Sequence, residues 1–247
     1  MAKIRLDQEL VRRGLVASRS QAESYIRLGK VLVNGRNIIK SGFFVSRNSE
    51  IELLQDEQFV SRAALKLKSA VEKMSLNFHE KIVLDIGSST GGFTEFALTR
   101  GAKKVIAVDV GTNQLHSKLR SGKFANKIEL HEKTDVRDFI TQENIDIILA
   151  DVSFIPLREI LPYVAKNLAS KDTQIVAMLK PQFETGSRLK NAGVIKNDAE
   201  RRKIIKDFEQ WAKQHFLTQC KTDSEVKGSS GNQERFYVLK RLNKFRK

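Results

Sequence analysis

A chain of 247 residues with 40% hydrophobic residues is long enough for two modest domains with packed cores. Its formal net charge of +15 indicates a polyanionic partner, either nucleic acid or an acidic membrane surface. A single cysteine excludes an internal disulfide and suits a cytoplasmic location. No apolar segment is long enough for a membrane span or a signal peptide, so we expect neither a secreted nor an integral membrane protein.

The first 58 residues predict a small module that begins with two helices. Apolar residues at helical spacing indicate the first helix, which Asp7 is placed to cap and Gly14 to end. Ser18 is the expected N-cap of the second helix, with Gln21 at the capping-box position.

A short sheet completes this module. Residues 31–33 predict a strand that enters a tight turn at Asn34-Gly35, and the return strand is expected to begin at Ile38-Ile39. Two further short strands are predicted at 43–45 and 51–54.

Residues 59–247, with 59–62 as a linker, predict an α/β domain of Rossmann-like type. An amphipathic helix is expected from Arg62 to Met74. Strands are then predicted near 81–86, 103–109, 127–131, 145–150, 173–179, 217–226 and 234–240. Helices are predicted near 92–100, 156–168 and 197–215. Apolar strands separated by helices imply a seven-stranded, mainly parallel sheet, and the last two strands should form an antiparallel hairpin at its edge.

A glycine-rich loop, in the segment VLDIGSSTGGF, follows the first strand of this sheet. Gly87 allows the backbone to turn at the carboxyl end of the strand, where ligands bind in open α/β sheets. The loop lacks the G-x-G-x-x-G spacing of dinucleotide sites, so a nicotinamide dehydrogenase is not supported. The predicted cofactor contacts in the loop are Gly87, Ser88, Ser89, Thr90, Gly91, Gly92 and Phe93.

Acidic residues stand at the ends of three successive strands. Asp85 lies at the loop, Asp109 ends the second strand and Asp135 follows the third. A carboxylate at the loop suits a cationic ligand, and one at the end of the second strand suits ribose hydroxyls. The pattern predicts a site for an adenosine with a positively charged tail, with Val110 and Val136 as further contacts.

Seven segments, in this order, resemble the TlyA (hemolysin-A-like) family of rRNA 2′-O-ribose methyltransferases over nearly the whole chain. They are RLDQELVRRGLVASRSQAESYIRLGKVLVNG, VSRAALKL, LDIGSSTGGFT, AVDVGTNQLHSKLR, ADVSF, MLKPQFE and GNQERFYVL. The resemblance implies that the N-terminal module has the RNA-binding fold named after small-subunit ribosomal protein four. It implies that the remainder is an FtsJ-like methyltransferase domain, which uses S-adenosylmethionine to methylate cytidine in small-subunit rRNA, large-subunit rRNA or both.

FtsJ-like enzymes use a Lys-Asp-Lys-Glu tetrad, which the resemblance places at Lys66, Asp151, Lys180 and Glu234. A ribose 2′-hydroxyl is a poor nucleophile that must lose its proton as the methyl group is transferred, so a general base is needed. Lys180 follows an apolar strand, and a partly buried lysine beside a second cation, here Lys66, can serve as that base. Asp151 and Glu234 would orient the lysines, and Asp151 would also contact the cofactor. No metal site is predicted.

Basic residues of the N-terminal module are the predicted contacts to ribosomal RNA. They are Arg12, Arg13, Arg19, Arg27, Lys30 and Arg36. Several lie on or just beyond the second helix, so a single basic face is expected, and such groups bind phosphates without reading sequence. Phe154 and Phe183 each follow a strand end and could stack on a flipped target base.

Three other interpretations of the sequence stay open at this point. The chain could be a non-catalytic RNA-binding or ribosome-assembly factor that retains a methyltransferase fold. It could be a pore-forming hemolysin, as the family name suggests, although no membrane segment supports this. It could be a pseudouridine synthase with the same N-terminal module, against which the G-S-S-T-G-G loop argues.

Overall fold

The structure is a computed structural model that describes residues 3–16, 18–27, 29–54, 59–185, 194–195, 197–228 and 231–242. The chain divides into two units, Met1–Arg62 and Ala63–Lys247. The sequence places the domain boundary after residue 58, and that position stays a prediction.

The first unit combines short helices with short antiparallel strands. Its elements are β1 (Ile4–Arg5), α1 (Leu6–Arg12), α2 (Arg19–Arg27), β2 (Val31–Val33), β3 (Arg36–Asn37), β4 (Phe44–Val45) and β5 (Ile51–Leu53). β1 pairs with β4, and β2 lies between β3 and β5. The apolar side chains of the helices, including Leu6, Leu10, Tyr25 and Ile26, are buried, which confirms the two predicted helices and their buried faces.

The hairpin of this unit starts earlier than predicted. β3 begins at Arg36 and not at Ile38, and Arg36 pairs with Val33. Asn34 and Gly35 have φ angles of 49° and 72°, as in the two-residue turns that match the strand twist, so pairing resumes immediately after them.

The helix caps of the first unit are only partly as predicted. Arg5, not Asp7, is the N-cap residue of α1, and the Asp7 carboxylate instead accepts hydrogen bonds from the Arg5 guanidinium at 2.9 and 3.0 Å. Ser18 Oγ accepts from the Gln21 N–H at 3.2 Å, as a cap does. The Gln21 side chain donates to the Phe59 carbonyl at 2.7 Å, because a buried amide needs a partner.

The second unit is an α/β fold built on one sheet. Its elements are α3 (Arg62–Met74), β6 (Ile82–Ile86), α4 (Gly92–Thr99), β7 (Lys104–Val108), α5 (Ser117–Arg120), β8 (Ile128–His131), β9 (Ile147–Ala150), α6 (Leu157–Tyr163), β10 (Gln174–Leu179), α7 (Pro181–Glu184), α8 (Asp198–His215), β11 (Phe216–Asp223) and β12 (Arg235–Arg241). The seven strands have the order β11-β12-β10-β9-β6-β7-β8. All neighbours are parallel except β12, which is antiparallel to β10 and β11. The predicted sheet and its edge hairpin are confirmed.

Some helical segments of this unit differ from the prediction. The predicted helix at 156–168 is α6 followed by the π-helical turn Val164–Leu168. α5 and α7 were not predicted, because four residues are too few to show a helical period. None of the described helices is long and apolar enough to cross a membrane.

The order of the strands creates a switch point between β6 and β9. The chain continues from β6 to β7 and β8 on one side, then crosses to β9 on the other. Ile86 is in register with both Val108 and Ala150, so the residues that follow these three strands lie at one edge of the sheet. Ligands of open α/β sheets bind at such a point.

Candidate active site

A cavity of about 440 Å³ opens at this switch point. The residues of the predicted cofactor set that line it are Gly87, Ser89, Asp109, Val110, Asp135, Val136 and Asp151. Small-molecule sites usually measure roughly 300–1,000 Å³, so the cavity is large enough for a nucleoside-sized ligand.

Gly87 brings the loop into close contact with the end of β9. Its φ is +80°, and a Cβ at this position would lie 2.7 Å from the carbonyl oxygen of Asp151. Both the dihedral angle and the contact require glycine. The sequence predicts glycine here for the turn at the strand end. The close contact with Asp151 is a second reason, which the sequence did not reveal.

Other loop residues of the predicted set lie outside the wall of the described cavity. They are Ser88, Thr90, Gly91, Gly92 and Phe93. The Phe93 ring is buried 6.1 Å from the Phe236 ring, so this side chain belongs to the core. Ser88 Oγ is buried and has no hydrogen-bond partner among the described residues. The roles of these five residues stay predictions.

Asp85 lies beneath the loop and is completely buried. Its Oδ2 accepts a 2.6 Å hydrogen bond from the Thr94 hydroxyl, while Oδ1 has no partner in the described part of the chain. Burial raises the pKa of Asp85 to about 7, and the nearby Asp151 adds to the rise. A cation close to this carboxylate would favour its charged form. Asp85 does not line the described cavity, and its contact with a cofactor stays a prediction.

Asp109 is held in a fixed orientation at the cavity wall. Its carboxylate accepts hydrogen bonds from the N–H of Ser89 at 2.8 Å and of Gly111 at 2.7 Å. A carboxylate can accept further bonds, so acceptor capacity is left for a ligand. Gln114, which sequence reasoning missed, also lines the cavity and accepts from Ser89 Oγ at 3.1 Å.

The lining of the cavity is partly apolar. Val110 is 71% exposed and Val136 is buried beneath the surface. Asp135 is 2.6 Å from Arg137, whose hydrogen bonds lower the pKa of Asp135. Asp135 is therefore an ionised hydrogen-bond acceptor beside an apolar surface.

Lys180 and Asp151 form an ion pair at the cavity. Lys180 Nζ lies 2.6 Å from Asp151 Oδ1 and donates to Ser153 Oγ at 2.8 Å. The lysine side chain is only 12% exposed. Asp151 and Ser153 both line the cavity. Ser153 was not predicted, although it stands in the segment ADVSF two residues after the aspartate.

Lys66 and Glu234 form a second ion pair, which is more deeply buried. Lys66 Nζ, on α3, donates to Glu234 Oε1 at 2.9 Å, and the two side chains are 11% and 3% exposed. Glu234 Oε2 is buried without a hydrogen-bond partner among the described residues. Burying both charges has a desolvation cost, and removing one partner would leave the other charge buried and uncompensated.

The antiparallel register of β10 and β12 brings the two ion pairs to the same edge. Leu179 is opposite Arg235 in this register. Lys180 and Glu234 are the next residues beyond that pair, so they leave the sheet side by side. The structure thus brings together the four residues of the predicted tetrad as two lysine–carboxylate pairs, while their catalytic roles stay predictions.

An exposed aromatic pair lies beside Lys180. The Phe154 and Phe183 rings are 5.3 Å apart, and Lys180 Nζ is 6.0 Å from the Phe183 ring. Phe154 is 90% exposed and has a φ of 70°. A bulky residue in this conformation costs about 1–3 kcal/mol, and such strain is found mainly at functional positions.

The first unit divides the predicted RNA contacts into two groups. In the first group, Arg12 and Arg13 contact Glu9 at 2.6 and 2.8 Å, and Arg19 contacts Asp7 at 3.0 Å. Both carboxylates are fully buried. Hydrogen bonds from Arg12, helped by Arg13, lower the pKa of Glu9 to about 2. These arginines therefore compensate buried charge in addition to any contact with RNA.

The second group consists of Arg27, Lys30 and Arg36. All three are exposed to solvent. They are the predicted contacts whose charge the fold leaves most accessible to a phosphate.

Comparisons with known proteins match the two parts of the chain to two different families. The family model of the FtsJ-like methyltransferases matches residues 59–242, and that of the S4 domain matches residues 4–51. The chain is 41% identical to the 23S rRNA (cytidine-2'-O)-methyltransferase TlyA of Campylobacter jejuni, over 92% of this chain and 96% of that protein. It is 36% identical to the 16S/23S rRNA (cytidine-2'-O)-methyltransferase TlyA of Mycobacterium tuberculosis, over 96% and 90% of the two chains. A solved structure described as a hemolysin from Streptococcus thermophilus matches with a TM-score of 0.70 and 34% identity, over 98% of this chain and 90% of that one.

Proposed function

Because this chain belongs to the TlyA family and carries an FtsJ-like methyltransferase domain, we propose that it transfers a methyl group from S-adenosylmethionine to the 2′-hydroxyl of a cytidine in ribosomal RNA. The observation that best supports this chemistry is the Lys180–Asp151 pair, in which Asp151 also lines the cavity. The test is to map 2′-O-methyl groups in both ribosomal subunits with and without the protein. New methylation at cytidine is expected, and unchanged RNA from both subunits would contradict the proposal.

The residues around the cavity fit S-adenosylmethionine. Gly87 keeps free a space that a Cβ would fill, and Ser88 Oγ is a buried group without a partner in the described structure. The Asp109 carboxylate suits the ribose hydroxyls, the apolar Val110 suits the adenine, and Asp151 suits the positive charge. When bound, S-adenosylmethionine supplies an electrophilic methyl group carried on a sulfonium.

Lys180 is the proposed general base. Its Nζ emerges at the end of a buried strand next to the cavity, where a general base must lie to take the proton of a 2′-hydroxyl. Lys66 and its partner Glu234 lie at the same edge of the sheet as Lys180. Asp151 and Ser153 fix the direction of the amine, and Glu234 fixes Lys66.

The Phe154–Phe183 pair is the proposed stacking surface for the target base. A target nucleotide that is turned out of its stack can bring its ribose to the recessed lysine, and its base then needs a new stacking partner. An exposed ring close to Lys180 compensates for the lost base stacking of that nucleotide.

The S4 domain is the proposed binding site for ribosomal RNA, with ribosomal subunits as the partner and the cytoplasm as the location. Arg27, Lys30 and Arg36 would contact phosphates. Phosphate contacts would fix the position of the RNA without selecting its sequence, so the choice of cytidine would depend on the shape of the RNA and on the methyltransferase domain.

Asp109→Ala should weaken S-adenosylmethionine binding by about 1–3 kcal/mol, because a hydrogen bond to a charged acceptor is lost. Calorimetry without RNA measures this change. The matched control is Asp146→Ala, since Asp146 also accepts from a backbone N–H, that of Ile82 at 2.8 Å, but lies at the other end of the strands. Equal cofactor affinity in the Asp109 variant and the wild type would rule out the ribose assignment.

A triple alanine variant of Arg27, Lys30 and Arg36 should bind rRNA more weakly and with a smaller salt dependence. The slope of log K against log salt should fall by roughly 0.7–0.9 for each phosphate contact that is lost. Filter binding over a salt series measures the slope. The control with the same change in net charge is the triple alanine variant of Lys203, Lys206 and Lys213, which are exposed on α8. If the two variants have the same slope, the assignment of the RNA surface to the S4 domain is wrong.

A further inference from the structure

Glu184 is a buried acid that the chemistry above does not use. It is the last residue of α7, which begins directly after Lys180, and its side chain is 1% exposed. Burial raises the pKa of Glu184 to about 7. Because burying a carboxylate is costly, its contacts should account for its presence.

The Glu184 carboxylate caps a helix from another part of the chain. Glu184 Oε1 accepts a 2.7 Å hydrogen bond from the N–H of Leu157, the first residue of α6, while the N-cap residue Pro156 provides no side-chain cap. Glu184 Oε2 lies 3.4 Å from Arg158 Nε. One carboxylate thus binds the first residue of α6 by a hydrogen bond across 27 positions of sequence, and its second oxygen is in charge contact with the next residue.

The two segments that Glu184 joins are the ones that carry the reacting groups. The segment between β9 and α6 contains Asp151, Ser153 and Phe154, and the segment after β10 contains Lys180 and Phe183. Their contacts are the 2.6 Å ion pair of Lys180 with Asp151, the 2.8 Å hydrogen bond to Ser153 and the ring pair at 5.3 Å. Glu184 follows Phe183 and Leu157 follows Phe154, so the Glu184–Leu157 hydrogen bond links the two segments beyond the ring pair.

This second link constrains the relative position of the segments. The contacts at Lys180 and the ring pair leave the start of α6 unattached to the segment after β10, and the hydrogen bond at Leu157 attaches it there. Phe154 also has a backbone conformation that persists only where neighbouring structure fixes it, and the start of α6 lies three residues beyond it.

We propose that Glu184 is a positioning residue that holds the Asp151–Phe154 segment against Lys180, through its hydrogen bond to the Leu157 N–H. The inference rests on the proposed function for its effect on catalysis, but the bond itself can be tested without activity. The side chain touches neither the cavity nor the reacting groups in the described structure.

The experiment compares E184L, which cannot accept the Leu157 hydrogen bond, with E184Q, whose amide oxygen can. E184L should lower kcat on rRNA on the order of 10- to 100-fold, the effect of an ångström-scale misplacement, while KM and cofactor affinity stay at wild-type values. E184Q should restore kcat to near the wild-type value. The control E159L removes an exposed acid from the first turn of the same helix and should leave kcat unchanged.

Hydrogen exchange provides the readout that does not depend on activity. Deuterium uptake in peptides covering residues 151–160 should rise in E184L and stay at the wild-type level in E184Q and E159L, with the melting temperature recorded for each variant. Wild-type kcat and uptake in E184L would overturn the proposal, as would equal losses in E184Q and E184L. If the wild-type protein methylates no rRNA, the proposed function fails, and the exchange data alone decide whether Glu184 joins the two segments.

Discussion

Lys180→Ala should lower the rate of methyl transfer by a factor on the order of 10²–10⁴, the usual contribution of a general base. The variant should fold and bind both S-adenosylmethionine and rRNA, because Lys180 is a single side chain at the edge of a sheet whose core is apolar. Single-turnover rates on purified ribosomal subunits measure the chemical step without interference from product release. Binding measured under the same conditions separates lost chemistry from lost association.

Lys180→Arg distinguishes a base from a fixed positive charge. Arginine keeps the charge beside Asp151, but its guanidinium does not give up a proton near neutral pH, so the loss should be almost as large as with alanine. The control is Lys81→Arg: Lys81 also pairs with an aspartate, Asp146 at 3.2 Å, at the other end of the sheet. Its rate should stay at the wild-type value. An arginine variant of Lys180 with a near-normal rate would show that the position supplies only charge, and the base would have to be sought elsewhere.

Glu234→Ala should lower the free energy of unfolding by about 3–5 kcal/mol, because it leaves the Lys66 ammonium buried without its partner. Both side chains are nearly inaccessible to solvent, so bulk water does not solvate the lysine that remains. Methyl transfer should also fall, since Lys66 would no longer be held at the edge that carries Lys180. Urea unfolding measures the stability, and single-turnover rates measure the chemistry.

The double variant Lys66→Met/Glu234→Leu separates these two effects. Replacing both charges with apolar groups of similar volume is often neutral or stabilising, so stability should recover while methyl transfer stays low. Glu225→Ala is the control, because the Lys73–Glu225 pair uses the same helix but is about half exposed on both sides and should contribute at most about 1 kcal/mol. A double variant with a wild-type rate would show that the buried pair is structural only.

Local sequence patterns were sufficient for the longer helices, for the strands of the large sheet and for the edge of that sheet that carries the site. The predicted helix from Arg62 to Met74 has the observed ends, and the seven predicted strands are all present. Asp109 and Asp151 could be assigned to one edge because the carboxyl ends of parallel strands coincide. The resemblance to a known family then assigned Lys66 to the site. Its position on an amphipathic helix would by itself have predicted a surface residue.

Local patterns failed where a residue's partner is distant in sequence. Asp7 looks like a helix cap, yet its buried carboxylate pairs with Arg19, twelve positions away, as well as with the neighbouring Arg5. The contact of the Phe93 ring with Phe236 on the last strand could likewise not be read from the loop sequence. The role of Glu184 has no signature in periodicity or spacing. Its hydrogen bond joins the segment after β10 to the segment between β9 and β10.

The sequence by itself determined which residues follow the strands at the ligand-binding edge. The alternation of side chains along a strand and the glycines that follow it are local properties of the chain. Only the tertiary structure decided how those residues pair. Lys66 meets Glu234 across 168 positions, and Lys180 lies beside Glu234 through the register of β10 and β12. Register and helix packing depend on the whole buried core, whose contacts join segments far apart in sequence, so no local pattern contains them.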